Sequence, residues 1–455
     1  MTTEPSSVDA NLDVPLTLVT ADSHIGPRLK EDLRQYCPKK YLDDYDEFVR
    51  VYDAQNDPEA LRKLLVVDEE QASSMPSDLG TTLGHYDVHA RLKDMDRDGV
   101  AAEVIYHGSQ NDQCFPFLPT EGGTFNAMVF SPGTCSPRQL ELAAVGQHMY
   151  NEYLADQCSV EPERHAGLAY LPMWDIEAAI RELKWASEAG LKGVNFPAPK
   201  LGIKPYDELD WEPFWAECAD RGMVLSTHGG SDIDTLTQAR PHTLIVLDIS
   251  EAPEKTLPRI IFSGVFERHQ NLKVAMTEVQ KPTSRWWPVL ASYYDELWMA
   301  NKDLLKGQLP SPPSEYFARN LLNGNSLLFL APREVDIAIS DGYAANIMWG
   351  SDYPHGEGSW RMAKSDEEET NVVTALRHAF STTPPDVARR MAGETAVDAY
   401  GLDRAKLAAV AKRINAITPR LIQTPLERIP EEWAHLAKVT VPFPEYHRLT
   451  EGSSR

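Results

Sequence analysis

The 455-residue chain is predicted to be an α/β protein, a (β/α)8 TIM barrel with a helical and loop insertion after its first strand and a C-terminal extension. Three observations predict it. Short β-prone runs alternate with helix-period segments from end to end, giving about eight strands at βα spacing. Several of those runs stop on acid or imidazole groups: Asp22-Ser23-His24, His228-Gly229-Gly230, Thr277-Glu278 and Ser351-Asp352. Barrel enzymes carry their working side chains at strand C-termini, so one barrel face would collect these endings. Finally, no Gly-x-Gly-x-x-Gly follows the first strand, and a dinucleotide fold has no fingerprint here.

Composition bounds the reading. Hydrophobic residues make up 42% of the chain, enough for a large core. Mean hydropathy is −0.39, and no apolar run approaches the roughly 18 residues needed to span a bilayer. The formal charge of −24 disfavours nucleic acid, whose phosphates need clustered cations. The five cysteines are scattered with no Cys-x-x-Cys pair, which argues against a thiolate zinc site and for free thiols in a reducing cytoplasm. Met1 to Asp13 is polar and acidic, unlike a signal peptide. The expected partners are a small-molecule substrate and further copies of the chain in a homo-oligomer, with neither nucleic acid nor membrane.

The elements follow in order. Residues 1–14 read as a tail, 15–402 as the barrel and 403–455 as an extension packing on the barrel or a partner subunit. Pro15 to Ala21 is the first strand. The insertion, 25–84, is charged and Pro-punctuated, with helical stretches at Glu31 to Tyr36 and Ala60 to Glu70 and a loop from Ser73. Tyr86 to Asp98 is an amphipathic helix with Val88, Leu92 and Met95 on one face, and Gly99 suits its C′ position. Val100 to Tyr106 is the second strand, ending at His107. Gly108 to Pro137 reads as a long loop with interleaved Phe115, Phe117, Phe125 and Phe130, and such loops are usually functional or disordered.

Further on, Gln139 to Gln157 is a helix, His165 to Pro172 a strand, Ile176 to Ala189 a helix and Gly193 to Phe196 a short strand. Trp211 to Arg221 is a helix, Met223 to Thr227 a strand, Leu257 to Arg268 a helix and Lys273 to Met276 a strand. Thr283 to Asn301 is a Trp-rich helix. Leu327 to Leu330 is a weak strand, Val335 to Ile339 opens a helix, Asn346 to Asp352 is the last strand and Pro385 to Tyr400 a closing helix. Arg404 to Ile414 is helical, and Pro-rich sequence carrying Trp433 and Phe443 follows.

The strand ends carry the chemistry. Alternation along a strand puts Asp22 and His24 on one side and Ser23 on the other, which suits either a metal ion or a strand-end cap. His228 is a metal ligand or a hydrogen-bonded structural residue, and Gly229 and Gly230 leave room for close approach. Asp352 ends an apolar strand that Pro354 stops, since proline has no N–H for the ladder. A carboxylate buried there needs a metal, a cation or donors, unless it caps the next loop.

These stretches resemble the amidohydrolase-2 branch of the metal-dependent amidohydrolase superfamily, the group around aminocarboxymuconate-semialdehyde decarboxylase and the resorcylate decarboxylases. The resembling motifs are Ala21 to His24, Arg91 to Asp96, Thr227 to Gly230 and Trp349 to His355, within a similarity running from about Leu16 to Leu402. The resemblance implies a metal held by Asp22, His24, His228 and Asp352, with Asp352 alternatively working mainly as the base; Asp352, His228 and Glu278 are the expected catalytic residues. There are departures. Ile25-Gly26-Pro27-Arg28 stands where many relatives have a Glu, so Arg28 or Glu31 would fill that space. Glu278 stands where the decarboxylases have a catalytic His. Strand four has no Lys for a carbamylated binuclear site, so one ion is expected. Two carboxylates and two imidazoles suit Zn²⁺, with Mn²⁺ open.

The reaction expected first is hydrolysis of an aromatic or bulky apolar amide, lactone or acid by metal-activated water, with Asp352 shuttling the proton. The alternative is non-oxidative decarboxylation of an aromatic or unsaturated acid. A third reading, from another class, is a ligand-binding barrel without chemistry. Arg28, His107, Phe115, Trp286 and His355 are the residues expected to touch substrate, although the aromatic ones equally suit core or interface.

Overall fold

Eight parallel strands run in sequence order: β1 (Leu18–Ile25), β2 (Val100–His107), β3 (His165–Ala169), β4 (Gly193–Asn195), β5 (Val224–His228), β6 (Val274–Thr277), β7 (Leu321–Ser326) and β8 (Ile347–Gly350). This is a computed structural model, describing residues 12–55, 82–230, 251, 253–279, 283–305, 307–326, 332–355, 358–360 and 369–427. The two ends of the sheet meet. His24 N–H donates to Tyr353 O at 2.6 Å, Asp352 N–H donates to Asp22 O at 2.9 Å, and Ser23 bridges Tyr353. The result is the TIM barrel that the strand–helix alternation predicts.

Local chemistry sets the helices between the strands. Asp87 caps Val88–Asp98 by accepting from Ala90 N–H, and Gly99 closes it at φ 72°, a left-handed conformation that glycine adopts without a Cβ clash. Ser136 and Gln139 form a reciprocal capping box at the start of Pro137–Cys158, satisfying orphan donors at that end.

Three expectations need correction. β7 is Leu321–Ser326, and the expected strand Leu327 to Leu330 lies outside the described residues. Asn323, Gly324 and Asn325 hide a strand from propensity, but pairing with β6 and β8 imposes it, as tertiary context does in buried sheets. Residues 108–137 are not a structureless loop: short helical turns occupy Thr120–Phe125, Asn126–Val129 and Pro132–Thr134, and Phe115, Phe117 and Phe130 are buried in the core. In the insertion, Leu42–Gln55 is an unforeseen helix that buries Tyr45, Val49 and Tyr52, spaced to share one face. The expected helix Ala60 to Glu70 lies outside the described residues, as does the tail from 428 on. Among the described residues, no helix is long and apolar enough to cross a membrane.

The strands' inward residues pack on segments that follow the last strand. Val19, Ala102, Val104, Ala166, Leu168, Val224, Ala275, Leu322 and Met348 share a cluster with Val397, Tyr400, Leu407 and Val410. The helix Arg404–Arg413 therefore packs against the barrel, near the start of β2.

One helix end carries a stability cost. Asp98 is buried at the C-terminus of Val88–Asp98, where the helix dipole disfavours a carboxylate. Burial pushes its carboxyl up to about 8, against the pull of Arg97. The folded chain thus keeps a proton that the unfolded chain releases near pH 4, and stability falls as pH rises from about 4 to about 8. Asp98→Asn is expected to melt higher than the parent chain, with a gap that widens from pH 5 to pH 8. Thermal melts showing one gap at both pH values would mean that Asp98 is ionised in the fold.

Candidate active site

Three strand ends bring four ionisable side chains to one place. Asp22 and His24 come from β1, His228 from β5, and Asp352 from just beyond β8. A register shift in β1 between Thr20 and Ser23 lets Ala21 pack in the barrel cluster while the next residue, Asp22, joins the site. Bulges re-aim side chains in this way. Asp352 and Glu278 turn inward from the ends of β8 and β6 with φ of 56° and 53°. Non-glycine residues in this conformation are strained and persist where the surrounding structure holds them.

His24 Nε2 lies 3.3 Å from Asp22 Oδ1 and 3.4 Å from Asp352 Oδ1. His228 Nε2 lies 3.5 Å from Asp22 Oδ1. All four residues are buried, and Asp22 is fully so. None of these contacts has hydrogen-bond geometry: both Asp22 oxygens, Asp352 Oδ1 and the two Nε2 atoms are left without a hydrogen-bond partner. Native interiors rarely leave such groups unpaired.

The ring orientations sharpen the point. His24 Nδ1 meets the His107 carbonyl at 3.2 Å, and His228 Nδ1 meets the Gly229 carbonyl at 2.9 Å. A carbonyl only accepts, so each Nδ1 carries the hydrogen. In the neutral rings each Nε2 then turns a bare lone pair toward carboxylate oxygens. Lone pairs facing one another need a cation between them. Asp22, His24 and His228 each offer a ligand atom within 4.8 Å of the others, as do His24, Asp352 and His355. The donor set therefore fits a divalent ion, and backbone carbonyls fix the tautomers as the outer shell of metal sites does.

Electrostatics agree with the geometry. Burial opposes ionisation of Asp22, but His228 and His24 hold its carboxyl well below the usual range. Burial likewise opposes a charge on His228, yet Asp22 and Glu278 raise it to about 9, so when no ion stands between them a proton on His228 Nε2 takes the place that a metal cation would fill. Glu278 differs: burial, with the charges of Asp352 and Asp22, pushes it up to about 8 despite His228. Its Oε2 lies 3.6 Å from His228 Nδ1. His355 Nδ1 stands 2.8 Å from Asp352 Oδ1, its Nε2 donates to Gly108 O at 2.7 Å, and its ring stacks on His24 with centroids 3.9 Å apart.

The other residues expected at the site separate. His107 holds His24 through its backbone and packs its ring 4.8 Å from Phe115. Burial and His24 push its imidazole down to about 3. Phe115 is fully buried among Tyr150 and Tyr170. Trp286 is buried against Trp287. The Arg28 guanidinium is taken up by Asp32 and by the Tyr86 ring 4.0 Å away.

Behind β1 lies a network that sequence reasoning did not assign. Arg91 Nη2 reaches Glu103 Oε2 at 2.6 Å, and its Nη1 donates to the His24 carbonyl at 2.7 Å. Ser23 Oγ donates to Glu103 at 2.8 Å, and His165 Nδ1 lies 2.9 Å from the same carboxylate. A Glu inside the apolar strand Val100 to Tyr106 was the signal, because a buried carboxylate demands a partner.

A parallel barrel with unpaired carboxylates and imidazoles gathered at its strand C-termini is the scaffold of a metal-dependent (β/α)8 enzyme. The chain belongs to the amidohydrolase-2 family of that class: the family model described as Amidohydrolase matches residues 87–402. Among curated proteins it is similar to 2-amino-3-carboxymuconate-6-semialdehyde decarboxylase of Dictyostelium discoideum, at 29% identity over 175 residues, 37% of this chain and 46% of that protein. It is also similar to gamma-resorcylate decarboxylase of Rhodococcus jostii, at 24% identity over 225 residues, 45% of this chain and 64% of that protein. The match thus spans less than two-thirds of either relative.

Solved structures share the fold. An amidohydrolase of Mycobacterium avium subsp. paratuberculosis has a TM-score of 0.59 at 16% identity, covering 86% of this chain and 100% of its own. A 5-carboxyvanillate decarboxylase of Novosphingobium aromaticivorans has a TM-score of 0.55 at 17% identity, covering 85% of this chain and 97% of its own.

Proposed function

We propose that this chain is a metal-dependent, non-oxidative decarboxylase of a small aromatic or unsaturated carboxylic acid. The observation that carries the metal is the set of buried, unpartnered ligand atoms on Asp22, His24, His228 and Asp352. Similarity to two kinds of curated decarboxylase supports carboxy-lyase chemistry over the hydrolysis expected first. Manganese is preferred to zinc: the carboxylate oxygens suit it, and the Novosphingobium decarboxylase was solved with bound manganese.

Asp22, His24, His228 and Asp352 would hold the ion, which supplies positive charge to anchor the substrate carboxylate and to offset the charge developing as CO₂ leaves. Glu278, raised to about 8, holds the proton for the carbon that loses CO₂. The balance is one C–C bond broken, one C–H bond formed and one proton returned to Glu278 from solvent. His355 steadies Asp352 through its 2.8 Å contact. Buried His107, Phe115, Tyr150 and Tyr170 form an apolar wall beside His24 and help to keep water out.

Manganese-loaded protein is expected to release ¹³CO₂ from carboxyl-labelled ortho-hydroxybenzoates or conjugated unsaturated acids. In D₂O the product should carry one deuterium at the vacated carbon. Turnover of aryl amides or lactones without CO₂ from any acid would restore the hydrolase reading. Metal-free protein with full activity would sink the metal centre.

A further inference from the structure

Tyr106 has no part in the chemistry above, yet it occupies the middle of the site. It is the next-to-last residue of β2, is 1% exposed and pairs in register with His24 on β1. Its ring centroid lies 5.8 Å from that of His24 and 4.7 Å from that of His228. The two imidazoles are 5.0 Å apart and nearly perpendicular, at 89°. Three rings from β1, β2 and β5 thus form a closed triangle.

The hydroxyl is tethered on the far side. β2 and β6 face each other across an eight-strand barrel, and Tyr106 OH donates to Thr277 Oγ1 of β6 at 2.9 Å. Thr277 is the register partner of His228 and immediately precedes Glu278. Space for its side chain comes from β7: a Cβ on Gly324 would sit 2.4 Å from Thr277 Oγ1. Glycine at that strand position leaves the tether its room, a close approach of the kind that glycine in a strand often marks.

We propose that Tyr106 is a positioning residue that acts through the imidazoles. Its ring forms the floor on which His24 and His228 rest, and its hydroxyl locks that floor to Thr277 so that both Nε2 atoms converge. The inference rests on the proposed metal reading. Backbone carbonyls already fix each ring's tautomer, whereas a floor fixes ring tilt, and a tilt error moves Nε2 away from the point that a divalent ion requires. Groups that orient metal ligands typically alter affinity 10–100-fold when removed.

The test is Mn²⁺ titration of the metal-free full chain by calorimetry, with EPR of the bound ion and thermal melts in parallel. The variants are Tyr106→Phe, Thr277→Val and the double substitution, all close to the parent shapes. Each single change is expected to weaken Mn²⁺ binding about tenfold and to broaden the EPR spectrum. The double change should add little to Tyr106→Phe, because the hydroxyl that Thr277 holds is already gone. A purely structural role would lower the melting temperature while leaving affinity and spectrum at parent values, and that result overturns the proposal. Losses that multiply in the double variant overturn it too. A parent chain that binds no Mn²⁺ overturns the metal reading itself, whereas parent binding with unchanged variants overturns the positioning role alone.

Discussion

Glu278→Gln is expected to slow CO₂ release by about 10²–10⁴-fold, the range for removing a general acid, with manganese content unchanged. Glutamine keeps the shape and the hydrogen bonding of a protonated carboxyl but cannot give up a proton to carbon. Glu278 suits the donor role because burial, reinforced by Asp352 and Asp22, favours its protonated form up to about 8. The sign for activity follows: the donor exists below that value, so the rate should fall as pH rises through it. A bound cation favours the ionised form, so the falling limb should appear at or below pH 8. Steady-state rates and metal analysis check both points. A variant that keeps the parent rate would remove Glu278 from proton transfer, and one that loses its manganese would make it a ligand.

Arg91→Leu is expected to cost about 3–5 kcal/mol of stability, the usual penalty for stranding a buried charge. Arg91 and Glu103 are each about 1% exposed, so water cannot replace the lost partner. The same guanidinium holds the carbonyls of His24 and Gly84, so metal affinity should drop with stability. Arg91→Leu combined with Glu103→Leu should recover part of the loss, since no charge then remains unpaired. Burial opposes ionisation of Glu103, but Arg91 and His165 hold its carboxyl well below the usual range. Its stabilising contribution is therefore present above the unfolded value near 4 and is lost as pH falls toward the folded one. Denaturant titration of the parent chain and the two variants decides the matter. A loss below about 1 kcal/mol in Arg91→Leu would place the pair among weak, solvent-screened bridges.

Much of the site could be read locally. Asp-x-His at the end of one apolar run, His-Gly-Gly after another and Ser-Asp before a proline are adjacent residues whose chemistry is visible without a fold. Alternation on β1 correctly placed Asp22 and His24 together, although the strand reaches that result through a register shift that the sequence does not display. Glu278 was marked by its strand end, but burial and its charged neighbours set its proton affinity, and those neighbours come from β1, β5 and the end of β8. Phe115 and Trp286 could be read as substrate-facing or as core because aromatic residues suit both, and only packing sets Phe115 beside His107 and Trp286 against Trp287.

β7 shows the limit most clearly. Asn-Gly-Asn inside a strand contradicts intrinsic preference, and the segment is extended because β6 and β8 offer it ladder partners on both sides. Tyr106 and Arg91 went unassigned for a related reason, since their partners, Thr277 and Glu103, lie on other elements. By itself the sequence determined the alternating barrel, the acids and imidazoles at its strand ends, and the capped helices, because these depend on neighbours within a turn or a strand. Tertiary structure alone decided which lone pairs face one another, which charges lose their water and which ring supports which ligand. Those properties belong to distances between strands, and strand closure sets them only when the last strand meets the first.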